Sequence, residues 1–251
     1  GFTAAVIVTL ALGIGANTAI FAVIDTILIR PLPYPQAEAL VGVWHTAPGL
    51  PGVTDLGCSR SMYFTYREEN RTFQQFGVWS SGGASVTGVA EPELPRALFV
   101  TYGVLDAVGV EPLLGRWFSQ ADDTPGSAET VMLTYGYWQR RFGGDTSIVG
   151  RTLTINSRPH AVIGVMPEAF RFQGERRLVL PQRFERNKLF LGPFGYQGIA
   201  RLKPGVTMEQ ANADVARMLG VWLNAWPSPS GFDRTVFQDA RLGPRLHSLK
   251  Q

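Results

Sequence analysis

The chain has 251 residues, of which 45% are hydrophobic, 11% aromatic and 17% charged, and its formal charge is +3. That apolar content excludes wholesale disorder, and a chain of this length can bury a real core. The single cysteine, Cys58, excludes an intrachain disulfide and a cysteine-based zinc site, and the lack of a long Lys/Arg run excludes a nucleic-acid stripe.

No residue from Gly1 to Ile24 is charged; Asp25 is the first. Fully helical, Phe2–Ile29 would span roughly 42 Å at ~1.5 Å per residue. A bilayer core needs about 20 apolar residues, so the stretch predicts a transmembrane helix, assigned to residues 1–30. The chain begins with Gly1, inside this apolar run, and is expected to start part-way through a longer gene product. A secretory signal peptide is a poorer match, because the run is too long and no small-x-small cleavage site follows it. A dinucleotide loop is another rival. Gly13-x-Gly15-x-x-Thr18 is a partial fingerprint with Glu38 downstream, but the third glycine is missing and Arg30-Pro-Leu-Pro-Tyr-Pro35 breaks the chain first.

The helix has one small-residue face. Ala4, Ala11, Thr18 and Asp25 recur at heptad spacing, with Gly15 and Ala22 between them. Such a seam lets helix backbones approach in lipid, although small residues are also common in membrane helices at large. Asp25 belongs near the interface, since a carboxylate is costly at mid-bilayer. Tyr34 and Trp44 suit either the same boundary or the core.

Pro31, Pro33 and Pro35 then form a stiff connector. No later apolar stretch is long enough to span, so 31–251 reads as a domain outside the membrane. Leu40–Thr46 predicts a strand, Ala47–Gly57 a loop, and Ser61–Phe73 a helix capped by Ser61. Phe76–Val89 and Leu94–Tyr102 predict strands, and Gly103–Gly109 a short helix. Gln120–Ala128 is a polar loop. Thr130–Leu133 predicts a strand and Tyr135–Phe142 a helix, with Thr134 as cap and Gly143-Gly144 as stop. Arg151–Asn156 and Ala161–Met166 predict a hairpin around Ser157-Arg-Pro159. Thr207-x-x-Gln210 is a capping box that opens a helix over Thr207–Asn224, with Met208, Ala211, Val215, Met218, Leu219 and Trp222 on one stripe. Arg234–Ala240 predicts a last strand, and Arg241–Gln251 a polar tail. This order predicts an α+β fold in two subdomains, with a β-rich insert from about Gly115 to Leu191.

The search for chemistry yields little. Gly-x-Ser-x-Gly and the Walker A pattern are both absent. His45, His160 and His247 lie far apart, so no metal, cofactor or catalytic set is predicted. Glu68-Glu69 reads as a solvated helix face, and Asp122-Asp123 lacks the ligand ladder of a calcium loop. Arg140-Arg141 and Arg176-Arg177 are the longest basic groupings and read as solvated charge. Tyr63, Phe64, Tyr66, Phe73, Phe76 and Trp79 read as core, and Gly192-Pro-Phe194-Gly-Tyr196 as a contact loop.

Several runs taken in order carry a resemblance. They are Leu10-Ala-Leu-Gly-Ile-Gly-Ala-Asn-Thr-Ala-Ile-Phe21, Arg30-Pro-Leu-Pro-Tyr-Pro35, Gly115-Arg-Trp-Phe118, Tyr137-Trp-Gln-Arg-Arg-Phe-Gly143, Gly164-Val-Met-Pro167 and Arg201-Leu-Lys-Pro-Gly-Val206. Together they resemble the MacB/FtsX-like permeases of ABC transporters, especially the duplicated orphan type with a MacB-like periplasmic core domain. The residues that carry it are Arg30, Pro31, Pro33, Tyr34, Pro35, Trp138, Phe142, Gly143, Gly164, Val165, Met166, Pro167, Pro204 and Gly205, and the resemblance gives them structural roles.

The resemblance implies one membrane helix followed by an extracytoplasmic core at the bacterial inner membrane. In that core, 36–114 and 192–251 would form a porter-like α+β subdomain, and 115–191 an inserted β-rich one. It implies a non-catalytic permease subunit of an export or mechanotransmission system. The implied partners are a separate ABC-type ATPase, further permease helices or a second permease copy, and membrane lipid; nucleic acid is not among them. The alternative is a membrane-tethered binding module that works without an ATPase. The chain departs from the family in having no cytoplasmic residues before its first helix and in stopping about where a second membrane helix approaches. It is therefore expected to be a fragment.

Overall fold

The computed structural model describes residues 1–3, 7, 11, 13–18, 34–88, 91–170, 172, 174 and 176–249. Residues 13–18 are helical and exposed, and the Thr18 hydroxyl donates to the Ile14 carbonyl at 2.8 Å. Most of the predicted span Phe2–Ile29 lies outside the described residues. Among the described residues no helix is long and apolar enough to cross a membrane.

A short 3-10 turn, Ala37–Ala39, leads into β1 (Leu40–Thr46). Then come α1 (Arg60–Glu69), β2 (Phe73–Gly83), β3 (Val86–Thr87), β4 (Arg96–Val100), α2 (Tyr102–Val108), β5 (Leu114–Gly115) and β6 (Thr130–Leu133). The rest are α3 (Tyr135–Phe142), β7 (Thr152–Ile155), β8 (Arg158–Val165), β9 (Leu178–Pro181), β10 (Gln197–Leu202), α4 (Met208–Ala225), α5 (Thr235–Asp239) and β11 (Gly243–Ser248). The strands join in one mixed sheet of order β11-β1-β10-β2-β4-β9-β6-β8-β7-β3, and β5 pairs with β8. The β4–β9 and β6–β8 pairs are parallel; the others are antiparallel. The predicted α+β class is therefore observed, on a continuous sheet.

Three apolar cores form around this sheet. The first buries Met62, Tyr66, Phe76, Val215 and Trp222, so α1 and α4 share it with β1, β2 and β10. The second buries Leu133, Trp138, Ile155, Val162 and Leu178 around α3. The third joins Trp79, Leu98, Leu105, Met132 and Ile199 around α2, with Tyr34 packed against it. The helix α2 sits directly on β2 through two glycines. A Cβ on Gly77 would lie 2.5 Å from the Val104 nitrogen, and one on Gly103 would collide with the Phe76 carbonyl.

Several predicted elements shift or change type. Ser59, not Ser61, caps α1, accepting the Met62 N–H at 3.1 Å. Ser61 lies two residues on, within the first turn, donating to the Phe190 carbonyl and accepting the Trp222 indole N–H. The strand expected over Phe76–Val89 begins at Phe73 and ends at Gly83. Thr134 precedes α3 as expected, but its hydroxyl donates to the carbonyls of Arg176 and Arg177 and makes no cap. The hairpin turns at Asn156-Ser157, both at positive φ, one step earlier than predicted. The capping box of Thr207 and Gln210 forms as expected.

The C-terminal reading is corrected. Arg234–Ala240 is not a strand; its centre is the helix α5, where the Asp233 carboxylate accepts the Thr235 N–H at 2.8 Å. The segment expected to be a polar tail contains β11, which pairs with β1 along Val41↔Ser248 to Thr46↔Gly243. An edge strand needs few buried side chains, and here only Leu246 is fully buried.

Candidate functional site

One strand carries a buried charge. Arg201 lies in β10 between Ala200 and Leu202 and is only 6% exposed. Its Nε donates to the Ala107 carbonyl at 2.8 Å, and its Nη2 to Val108 at 3.3 Å. The other contacts reach back to the connector, with Nη2 to the Pro35 carbonyl at 2.9 Å and Nη1 to Gln36 at 3.2 Å. All four acceptors are neutral carbonyls. Burial lowers the pKa of the guanidinium, and Glu38 opposes that shift.

Local sequence explains why the acceptors gather there. Ala107 and Val108 end α2, whose last carbonyls have no helical partner and carry the negative end of the helix dipole. Gly109, at φ 70°, turns the chain away, and a Cβ there would lie 3.3 Å from the Arg201 Nη2. Gln36 adopts φ 48° before the 3-10 turn, which exposes the carbonyls of Pro35 and Gln36 to the guanidinium. The opposite edge of β1 is held as well, because the Leu249 N–H donates to the Leu40 carbonyl at 3.3 Å. Leu40 and Leu249, just past the end of β11, therefore lie side by side.

The sequence-derived site residues take these places. On the predicted helix seam, Ala11, Gly15 and Thr18 are exposed, and a Cβ on Gly15 would meet nothing within 4 Å. Ala4, Ala22 and Asp25, and the motif residues Arg30, Pro31 and Pro33, lie outside the described residues. Tyr34 joins the third core, and Pro35 meets Arg201. Trp138 is buried and donates its indole N–H to the Asp145 carbonyl, Phe142 packs beside the second core, and Gly143 ends α3 at φ 61°. Gly164 admits β5, since a Cβ would meet the Arg116 and Leu114 carbonyls at 2.9 Å. Val165 and Met166 are buried behind it, and Pro167 lines a surface cleft. Pro204 and Gly205 form the turn that leaves β10, closed by the Val206 N–H on the Lys203 carbonyl. Arg201, four residues before Gly205, belongs to a motif run but carries no separate functional signal in the sequence. The one available hint is an arginine flanked by Ile199, Ala200 and Leu202.

Most other buried ionisable groups are hydrogen-bonded internally, although the Asp123 Oδ1 is buried without a donor among the described residues. His45 donates from Nδ1 to the Gly57 carbonyl at 3.0 Å and accepts the Tyr66 hydroxyl at Nε2 at 2.7 Å. Burial holds its pKa down at about 4. Cys58 is fully buried and its thiol is pushed upward by that burial. Burial would raise Asp122, but Arg116 and Ser119 outweigh it and hold the carboxyl at about 2. Asp123 accepts the Tyr102 N–H at 2.7 Å while burial raises it to about 7. Among the described residues no three His, Cys, Asp or Glu side chains are grouped to hold a metal.

These features define a class: an α+β domain on one mixed sheet, locked to an N-terminal connector by a buried guanidinium. The chain belongs to the family of MacB-like periplasmic core domains, whose family model matches residues 3–218. Solved structures share the fold. A domain assigned to a permease of Porphyromonas gingivalis is 18% identical, with a TM-score of 0.61, over 86% of this chain and 93% of that one. The periplasmic region of MacB from Actinobacillus actinomycetemcomitans is 13% identical, with a TM-score of 0.56, over 84% and 89%. No curated protein matches the sequence at a significant level.

Proposed function

We propose that the chain is the extracytoplasmic core of a non-catalytic permease subunit in an ABC-type export or mechanotransmission system. Its apolar N-terminal segment would seat it in the bacterial inner membrane, and a separate ATPase would drive it. Membership of the family supports the permease-type role. The coupling rests on Arg201. A pull on the connector displaces the carbonyls of Pro35 and Gln36, and the guanidinium that holds them also holds the end of α2 and is rooted in β10. Connector, helix and sheet then move as one body. The division into 36–114 with 192–251, and 115–191, follows from the resemblance. The first core lies mainly in the former and the second mainly in the latter, but 84–97 contributes to the second, 184–191 to the first, and the third core joins both parts.

The test is affinity purification of the intact protein from its own membranes after mild cross-linking. Recovery of an ATPase in fixed stoichiometry, with further permease helices, is the expected result. A membrane-embedded protein that repeatedly returns no ATPase would overturn the coupling and favour the tethered binding module.

A further inference from the structure

Two basic doublets that are far apart in sequence converge in the fold. Arg140-Arg141 lies in α3, and Arg176-Arg177 immediately precedes β9. Glu93 takes one arginine from each: Arg141 Nε lies 3.7 Å from its Oε1, and Arg177 Nη1 lies 2.9 Å from its Oε2. The remaining two, Arg140 and Arg176, line a cleft of about 440 Å3 with Tyr135, Pro167 and Phe170. Among the described residues neither is paired with a carboxylate. The Arg176 Nε is shut off from solvent without any acceptor, and Arg96 adds a like charge nearby. The Arg140 guanidinium folds back over the first turn of α3, where a Cβ on Gly136 would lie 3.1 Å from its Nη1. That turn carries the positive end of the helix, so Arg140 adds charge of the same sign. Glu168 also lines the cleft and is itself engaged.

We infer that this cleft binds an anion with a flat apolar body, of the class of aromatic carboxylates and sulfonates. Guanidiniums that line a cleft without a carboxylate partner are stabilised when a bound anion accepts their hydrogen bonds. The volume falls within the range of about 300–1,000 Å3 typical of small-molecule sites. The wall of Tyr135, Pro167 and Phe170 offers an apolar surface that inorganic phosphate would leave uncovered. The inference does not depend on an ATPase partner.

The experiment titrates naphthalene-2-sulfonate into the full chain in lipid nanodiscs and follows backbone amide resonances. The expected result is a saturable shift at Gly136 and Arg176, at least tenfold weaker in the Arg140→Gln/Arg176→Gln double variant. Arg140→Lys/Arg176→Lys, which keeps both charges and guards against a folding defect, should retain part of the affinity. The neutral 2-naphthalenemethanol and inorganic phosphate should each bind at least tenfold more weakly than the sulfonate. No saturable shift at millimolar sulfonate, equal affinity in the glutamine variant, or equal binding of the neutral alcohol would each overturn the inference.

Discussion

Arg201 Nη2 donates to the Pro35 carbonyl at 2.9 Å, while Nε of the same guanidinium donates to the Ala107 carbonyl at 2.8 Å. One side chain thus bridges the segment that precedes the sheet and a helix packed on its face. The planar fork suits this task, because it presents several donors in fixed directions that a lysine cannot reproduce.

Arg201→Met keeps a similar stem but strips the donors from the carbonyls of Pro35, Gln36, Ala107 and Val108. A buried acceptor left unpaired costs about 1–3 kcal/mol, and water entering the gap returns part of that. Urea unfolding of the detergent-solubilised chain should show a loss of about 2–4 kcal/mol. Arg201→Lys should lose less, since one ammonium reaches fewer carbonyls. Hydrogen exchange should quicken at Ala39, whose N–H donates to the Gln36 carbonyl, more than at Met218 in α4. Equal protection at Ala39 in the variant and the parent would refute the clamp.

Gly103→Ala tests the docking of α2. Alanine favours a helix interior over glycine by about 1 kcal/mol, so propensity alone predicts a gain. Here the new methyl meets the Phe76 carbonyl, which is backbone and cannot swing aside. The net effect should be a loss of about 1–3 kcal/mol in denaturant melts. Gly220→Ala in α4, where an added Cβ meets nothing within 4 Å, should stabilise instead. If both substitutions stabilise alike, the close approach of α2 to β2 is wrong.

The sequence is most readable where local signals agree with tertiary burial. β6 and α3 fall on their predicted bounds, and the stripe of α4 from Ala211 to Trp222 faces the first core behind its capping box. It is least readable where pairing partners decide. Gly243–Ser248 has a proline, an arginine and a histidine among its six residues and becomes a strand only because β1 offers an unpaired edge. Thr134 sits where a cap belongs, but its side chain is turned to donate to the carbonyls of Arg176 and Arg177, and its oxygen accepts no helix N–H. Arg201 resembles ordinary surface charge in the sequence because its acceptors come from separate segments. The two arginine doublets read as solvated for the same reason, since Glu93 and the cleft are assembled from distant parts of the chain.

His45 and Asp123 place opposite slopes in the same pH range. His45 is neutral in the fold, with its pKa lowered by burial to about 4 from 6.5. The unfolded chain therefore binds its proton first, and stability is lost as pH falls from 6.5 towards 4. Asp123 is raised by burial to about 7 from 3.8, against the Tyr102 N–H and Arg67, with Asp122 and Arg183 also nearby. Here the folded chain binds the proton first, so stability falls as pH rises from 3.8 to 7. The wild-type profile contains the difference of the two. Asp123→Asn keeps an oxygen for the Tyr102 N–H and removes the second contribution. Its advantage over the parent should grow with pH across this window and level off above about pH 7. Each tenfold change in proton affinity is worth about 1.4 kcal/mol, so after allowance for partial exposure the advantage should reach about 1–3 kcal/mol. Its acid limb should also be steeper, because the titration of His45 is no longer offset. Urea midpoints for both proteins across the range measure this directly. A difference that stays constant with pH would mean that Asp123 does not titrate there, and that the Tyr102 N–H and Arg67 hold its charge in the fold.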